Sequence, residues 1–554
     1  MQSYIGIKNH AIPKNECFSL GNLIMITLIA LIYPIFKYCV SFRKQVILRP
    51  KFIINMKPKK RNKWKWLHKW AGLLVSVFML LFCISGIILN HRDTFSQFNI
   101  DRSLLPSSYK LRNYNNGIIR GTLPLEKDSL LAFGSCGVWV TDSIFSNTYS
   151  FNNGLPTGID RRNVRNIIKD KNGQIWCATT YDLYKLKRQE WIPVSLPKNH
   201  SKITDISLMP DNPGIIVLTR SNIYKVSPDN IKEITIQAPS GKNNEISLFK
   251  TIWNLHSGEL WGLPGRIVVD LIAIVLIILC LTGIILFIMP FSIRNSSKVS
   301  TQVKILKWNF KWHNIIGYFT IVFTILLVFT GMCLRPPLMI PFVMTKTTPL
   351  PGSSLDTDNY WHDKFRAIRW DEDNQNWLIS TSDGFVKLKD FSSNPVIIPS
   401  DKSPVVSPMG VNVFYREAPG VWIIGSFSGI YRWKPNEGRC YTFHDNTLVD
   451  PNRRNSFGLA NDIVSGYSAD TYKPIVFDYA KGTEELNPMG SDMRNQPMSL
   501  WNFALELHVG RCYSSFLGPI SNLFVFLSGI IILLVLASGY IISCKIKKSH
   551  NINQ

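Results

Sequence analysis

Four of the ten histidines in this 554-residue chain stand at matched places. His68 is followed by Gly72 at +4 and Gly86 at +18; His313 is followed by Gly317 at +4 and Gly331 at +18. The segments WLHKWAG…ISG and KWHNIIG…FTG therefore share three positions without a gap. The other two histidines lie in LHSG (Leu255 to Gly258) and LHVG (Leu507 to Gly510). Each leads into an apolar run that closes in Thr282-Gly283 or Ser538-Gly539, 27 and 31 residues after the histidine, so about one helical turn separates the copies. A neutral imidazole offers one nitrogen to a metal and keeps a proton on the other, and it is costly to leave unpaired among apolar helices. Two imidazoles at one depth on facing helices supply the two axial ligands of a six-coordinate haem iron. The predicted pairing is His68 with His313 and His256 with His508, for one or two bis-histidine haem b groups.

Taken singly, each of these histidines reads first as an interface residue beside Trp64, Trp66, Trp70, Trp308 and Trp312; recurrence of both pairs favours ligation. His91, in LNHRD, has Pro336 at the matching place and is either a reserve ligand or a helix cap. Arg266, Arg335 and Arg511 are candidates for haem propionates, although Arg266 with Asp270 one turn on also reads as a snorkelling pair. Gly72, Gly86, Gly317 and Gly331, with Ser85 and Thr330, give room for a flat porphyrin or for close helix packing.

These residues need helices to carry them. Apolar runs at roughly 70–89, 267–289, 315–334 and 520–543 approach the ~20 residues that cross a bilayer. A weaker run at 23–40, followed by Arg43, Lys44, Arg49 and Lys51, makes residues 1–55 either an N-terminal extension with an extra helix or a segment ahead of a start at Met56. It lacks the small-residue cleavage site of a signal peptide. The expected organisation is transmembrane helix 1 at 64–91, an insert at 92–250, helix 2 with its LHxG motif at 251–290 and a loop at 291–311. The second copy follows as helix 3 at 312–335, an insert at 336–500, LHxG and helix 4 at 501–543, and a tail at 544–554. The chain reads as two copies of one helical hairpin, a four-helix membrane bundle.

A formal charge of +25 invites a nucleic-acid reading, which its distribution excludes. The insert at 92–250 holds 21 basic and 14 acidic residues and that at 336–500 holds 16 and 19, about +4 together. The excess lies beside the helices: Lys57 to Lys69, Arg294 to Lys311 and Lys545 to Lys548, three stretches without an acidic residue. That is the positive-inside pattern, and it puts both inserts on the side away from the cytoplasm. The ten cysteines form no CxxC, so thiolate metal sites and thioredoxin-like chemistry lack support; an oxidising compartment would permit a Cys136–Cys177 bridge.

LHSGELWGLPGRIVVD with its closing TG, joined to the HKWAG and HNIIG helices, resembles the PepSY-associated transmembrane family of bacterial inner-membrane proteins. The resemblance covers about 150 residues, near 64–92, 251–290 and 308–335, with a weaker block at 501–543. It implies an iron-regulated membrane protein similar to haem-containing ferric-siderophore reductases, with His68, His313, His256 and His508 in the family's histidine positions. No PepSY module is evident in the inserts. Instead, NGLPTGIDRRNVRNIIKDKNGQIWCATTYDLYKL (153–186) resembles a two-component-regulator type of β-propeller blade, and alternation with turn residues supports strands independently. Fragments at 133–142, 213–226, 374–388 and 419–433 are similar, and Trp139, Trp176 and Val217 fall at blade-like spacings of 37 and 41. Each insert would hold two or three blades, too few to close alone, so the two are expected to combine into one all-β, propeller-like domain.

Two functions follow. The first is haem-dependent electron transfer to an extracytoplasmic substrate such as a ferric chelate, a possible membrane oxidoreductase. The 291–311 loop is too short for an NADPH or flavin site and no dinucleotide fingerprint follows a strand, so the donor would be membrane quinol or a separate reductase. The alternative is a haem-free, membrane-anchored propeller that binds or senses a ligand or partner. A transporter is a weaker reading, because no helix is broken at mid-membrane by charged residues. Membrane lipid is a partner in each case.

Overall fold

The computed structural model describes residues 63–552 except 127, 198–199, 211–213, 228–229, 243, 294–298 and 451–462. The expected helix near 23–40, the alternative start at Met56 and the cations from Lys57 to Arg61 lie outside the described residues. Residues 100–110 are a small unit of two short 3-10 turns. All that follows concerns the rest of the chain.

The membrane part is built from α1 (Lys63–Asn90), α2 (Leu248–Ser257), α3 (Gly262–Ile293), α4 (Val299–Phe319), α5 (Ile321–Cys333), α6 (Leu500–His508) and α7 (Ser521–Ile552). Three spans, Lys63–Asn90, Glu259–Ile293 and Arg511–Cys544, are each long and apolar enough to cross a bilayer. The expected third helix is instead bent by 67° between α4 and α5, so there are four candidate spans only if that pair counts as one. The 291–311 segment is no loop where it is described: α3 runs to Ile293 and α4 starts at Val299. Between Val299 and Ile316 there is neither proline nor glycine to break a helix. Val75, Met79 and Cys83 of α1, Ala273 and Leu276 of α3 and Ile532 of α7 form one core, against which Leu327 and Val328 of α5 pack.

The LHxG motifs are not the starts of spanning helices. Each closes a separate short helix, α2 or α6, capped at its N-terminus by the hydroxyl of Ser247 or Ser499. Gly258 (φ 79°) and Gly510 (φ 81°) then turn the chain in the left-handed conformation that glycine adopts without a Cβ penalty. A Cβ on Gly258 would lie 2.3 Å from the Gly265 carbonyl oxygen, so the LHSGELWGLPGR run is a compact reversal that presses α2 against α3.

The two inserts form five four-stranded antiparallel sheets, each strand paired with the next in sequence. They are β1–β4 (Gly121–Pro124, Ser129–Gly134, Gly137–Asp142, Tyr149–Ser150), β5–β8 (Val164–Lys169, Ile175–Thr179, Leu183–Lys187, Glu190–Val194) and β9–β12 (Ile203–Leu208, Ile215–Thr219, Ile223–Val226, Ile231–Ile234) in the first insert. The second insert contributes β13–β16 (Phe365–Asp371, Asn376–Thr381, Gly384–Leu388, Val396–Ile398) and β17–β20 (Val413–Ala418, Val421–Ser426, Gly429–Lys434, Arg439–Thr442). A two-stranded sheet, β21–β22 (Val464–Ser468, Ile475–Asp478), follows.

Each sheet shares an apolar cluster with the next. Phe133 packs with Val164 and Cys177, Trp176 with Ile206 and Val217, Ile216 with Phe365 and Trp377, Phe385 with Phe414 and Trp422, and Ile423 with Val464. The last sheet returns to the first, through Ile475 and Phe477 against Ile118, Ala132 and Trp139. The two inserts are thus one packed β region. Trp139 lies on the third strand of its sheet, whereas Trp176 and Val217 lie on second strands, so those three residues are not a true repeat. Cys136 and Cys177 are both free and buried in different clusters, so the bridge between them does not form.

Because β9–β12 covers its face with Phe365 and Trp377 of the second insert, residues 92–250 expressed alone are expected to lack a cooperative thermal transition. Circular dichroism and analytical ultracentrifugation test this; a stable, cooperatively melting monomer would contradict the shared core.

Candidate functional site

The structure brings the four matched histidines together in the predicted pairs. The imidazole centroids of His68 and His313 are 6.1 Å apart, and so are those of His256 and His508. The first pair lies toward the α3–α4 connection (the loop side) and the second beneath the β region (the sheet side). On α1, 17 residues separate His68 from Ser85, the contact of His508, about 26 Å along the helix axis. That separation is comparable to the ~30 Å thickness of a hydrocarbon layer.

Each imidazole is held through Nδ1 by a hydroxyl that precedes a glycine on another helix. His68 Nδ1 is 3.0 Å from the Val535 carbonyl and 3.3 Å from Ser538 Oγ. His508 Nδ1 is 3.0 Å from the Phe82 carbonyl and 3.1 Å from Ser85 Oγ, and His256 Nδ1 is 3.1 Å from both the Leu327 carbonyl and Thr330 Oγ1. His313 Nδ1 is 2.8 Å from Thr282 Oγ1. These hydroxyls already donate their single protons within their own helices, Ser85 to Leu81, Thr330 to Leu326, Ser538 to Val535 and Thr282 to Ile278. A carbonyl can only accept, so the Val535, Leu327 and Phe82 carbonyls assign the proton to Nδ1 in His68, His256 and His508, while the partner of His313 Nδ1 is a hydroxyl alone. In those three rings Nε2 carries a lone pair, and in none of the four does Nε2 take a hydrogen bond among the described residues.

The glycines leave room for the rings. A Cβ on Gly331 would lie 2.9 Å from His256 Cε1, on Gly539 2.9 Å from His68 Cε1, on Gly86 3.2 Å from His508 Cε1 and on Gly283 3.6 Å from His313 Cε1. The sequence displayed all four Ser-Gly or Thr-Gly pairs, two as room for a porphyrin or close helix packing and two as helix-closing motifs, and neither reading found that each is the seat of a histidine.

A cavity of about 630 Å³ opens beside the loop-side pair, within the 300–1,000 Å³ range of small-molecule sites. His68, His313, Gly72, Gly283, Gly317 and Gly539 line it, and Lys65, Lys69 and Lys307 also border it. Near the sheet-side pair, Arg335 stands one turn beyond Gly331 with its buried Nε unpaired. Arg511 pairs with Glu506, and Arg266 with Glu259 rather than with Asp270. Asp270 is taken by His91, whose Nε2 lies 2.7 Å from its carboxylate, and by Asn90. His91 is therefore not brought to either pair: its ring is committed to a carboxylate at the outer end of α1. Among the described residues no group of three or more histidine, cysteine or acidic side chains could hold a metal, so a metal here would be held by a pair.

A family model for the PepSY-associated TM region matches residues 221–545, more than half of the chain. The chain belongs to the PepSY-associated TM family. The match includes α2–α7 and so His256, His313 and His508, while α1 with His68 precedes it. No curated protein sequence matches this PepSY-associated TM protein. Among solved structures, two of the extracellular domain of BT4673 from B. thetaiotaomicron, described as a one-component and as a hybrid two-component system, align at 12% and 11% identity. Their TM-scores are 0.20 and 0.21, too low to relate the folds. The alignments cover 59% and 60% of this chain but 35% and 34% of those chains, about a third of their length.

The seats make a differential prediction. Gly331→Ala or Gly539→Ala must displace an imidazole and is expected to lower the thermal midpoint in detergent by several degrees, a loss of about 1–3 kcal/mol. Gly72→Ala, whose Cβ would meet only Val535 at an ordinary 3.6 Å, should leave the midpoint nearly unchanged.

Proposed function

We propose that this PepSY-associated TM protein is a haem-dependent electron-transfer protein of a bacterial inner membrane that reduces an extracytoplasmic substrate such as a ferric chelate. In this reading the bent α4–α5 pair is the fourth span and the six sheets form a propeller-like domain on the periplasmic side. The observation that carries the proposal is the doubled histidine pair with each Nδ1 hydrogen-bonded and each Nε2 taking no hydrogen bond among the described residues.

The residues fit haem. With a metal–nitrogen bond of about 2 Å and roughly 1.2 Å from nitrogen to ring centre, two imidazoles that shared one metal would have centroids up to about 6.4 Å apart, and both pairs stand at 6.1 Å. Hydrogen bonds from Nδ1 to carbonyl and hydroxyl oxygens orient such ligands and raise their basicity. The glycines make the loop-side cavity roomy, and Lys65, Lys69 and Lys307 would face carboxylate groups of the bound molecule. At the sheet side the unpaired Nε of Arg335 would do the same. Bound haem supplies reversible one-electron chemistry. The chain would contribute ligation, orientation and a largely apolar bundle around both pairs. With no dinucleotide fingerprint in the sequence, quinol or a separate reductase would supply electrons.

A centroid separation of 6.1 Å also suits direct contact between two neutral rings, whose range is about 4.5–7 Å. That arrangement belongs to the second reading, a haem-free bundle anchoring a binding or sensing domain. The absorption spectrum of protein produced with ample haem separates them. Electron transfer predicts a Soret band that shifts on dithionite, with sharp bis-histidine α-bands; colourless protein would exclude it. His68→Ala should then remove about half of the haem and leave the sheet-side α-band in place.

A further inference from the structure

The β region carries a cluster of cations around Tyr181 that its carboxylates do not neutralise. Arg161 lies 5.3 Å from the Tyr181 ring centroid, Lys202 5.5 Å and Arg92 6.0 Å. Asp160, fully buried, is already saturated. It takes two hydrogen bonds from Arg92, at 2.6 and 2.8 Å, and a third from the Tyr181 hydroxyl at 2.7 Å. Burial opposes its charge, but the Arg92 guanidinium outweighs burial and holds the carboxyl below its ordinary range.

Arg165 stands beside this group. Its Nε donates to Thr180 Oγ1, next to Tyr181, at 3.2 Å, and its guanidinium makes no ion pair among the described residues. The charges acting on it are those of Arg120, Arg92 and Arg220, against Asp160 alone. The Lys202 ammonium makes no hydrogen bond among the described residues, and burial followed by the Arg92 charge brings it down to about 8 against the opposing charges of Asp160 and Asp93. Other buried arginines of the β region have structural duties. Arg120 donates to Asn163 and the Val164 carbonyl of the next sheet, and Arg366 donates to the Pro408 carbonyl. Arg165 ties no sheets together. Its residue is the extra one in the bulge between Val164 and Asn166, which frees its side chain from the ladder pattern.

We propose that this cluster binds a small multivalent anion, a solute bearing several carboxylates or phosphates, between Arg161, Arg165 and Lys202. Planar guanidiniums match such groups through paired hydrogen bonds, and a half-buried site strengthens each of them. The position gives the anion a use. Arg92 lies over the ring of Trp501, 3.7 Å from its centroid, and Trp501 is on α6 with His508. Lys250 of α2, the helix of His256, pairs with Asp363, which also holds Arg220. Both helices that carry the sheet-side histidines thus touch the cluster or its neighbours. That the anion is the electron acceptor, an anionic ferric chelate, rests on the function proposed above; that it binds does not.

The test is calorimetric titration of the full chain in phosphatidylcholine nanodiscs, with citrate and pyrophosphate as probes and a phosphatidylglycerol nanodisc as a separate arm. Saturable binding of at least one probe is expected, weakening as salt rises. Arg165→Gln and Lys202→Gln should each reduce affinity by roughly tenfold while leaving the thermal midpoint and the visible spectrum unchanged. Lys202→Gln removes no hydrogen bond and guards against a folding defect in the arginine variant. Absence of saturable binding in the unaltered protein, or equal binding by both variants, overturns the site. So does a dependence on phosphatidylglycerol alone, which would make it a lipid headgroup contact. Colourless protein that still binds citrate through Arg165 would remove the electron-transfer reading and keep the anion site; haem-loaded protein that binds neither probe would do the reverse.

Discussion

An imidazole N–H inside an apolar bundle must have an acceptor, and a helix interior offers few, because each carbonyl already spends one of its two lone pairs along the axis. The structure meets this constraint in one way four times. A serine or threonine bends its hydroxyl proton back onto a carbonyl of the preceding turn, which leaves its oxygen, and in three cases a further carbonyl, facing the incoming ring. The next residue is glycine, so the ring can approach the backbone closely. This arrangement fixes where each ring sits and how closely its helix approaches the next.

It also joins the two halves of the chain. His68 of the first hairpin seats on α7 of the second, and His508 of the second seats on α1 of the first. His313 seats on α3 and His256 on α5, again across the copies. Every seat and both ring pairs are exchanged between hairpins, as an approximate two-fold relation requires. The mismatch in length between the copies then has a location. Gly262 (φ 61°) and Gly518 (φ 54°) share one unusual backbone conformation, and each lies 21 residues before its closing glycine, Gly283 or Gly539. The four extra residues fall between Gly510 and Gly518, where Ser514–Leu517 makes an added helical turn. The span and its seat are thereby kept in register while the surface turn absorbs the insertion.

The duplication was legible because a histidine and two glycines at fixed offsets survive as identities, and the strands at 153–186 were legible because turn residues and alternation are local signals. What the sequence withheld was tertiary. Ser538 is 470 residues from His68, and nothing local says that its oxygen will accept from that ring. Asp270 reads as the partner of Arg266 because one turn separates them, yet His91 reaches it from the end of α1. Hydropathy measures length and not direction, so a continuous apolar run through Thr320 conceals a 67° bend. The LHxG glycines were visible as a motif, but only the left-handed φ of Gly258 and Gly510 explains why a separate short helix must end there.

The short helices α2 and α6 are where the membrane and β parts become mechanically one. Each ends in a histidine seated on a spanning helix and begins at a serine cap beside the sheets. Each is also tied to the β region by a charged group, Lys250 to Asp363 for α2 and Arg92 over Trp501 for α6. Asp363 answers Lys250 and Arg220 together; burial opposes its charge, but these cations hold its carboxyl below the ordinary range, so the tie persists over neutral conditions. A change in charge at the sheet face therefore bears directly on the two short helices that carry the sheet-side rings. His68 and His313 sit on the long helices themselves, and α1 meets the β region only at its far end, where Arg92 just beyond it pairs with Asp160. The two pairs are alike in their seats and differ in their distance from the β region, His256 and His508 being carried on the short helices that adjoin it.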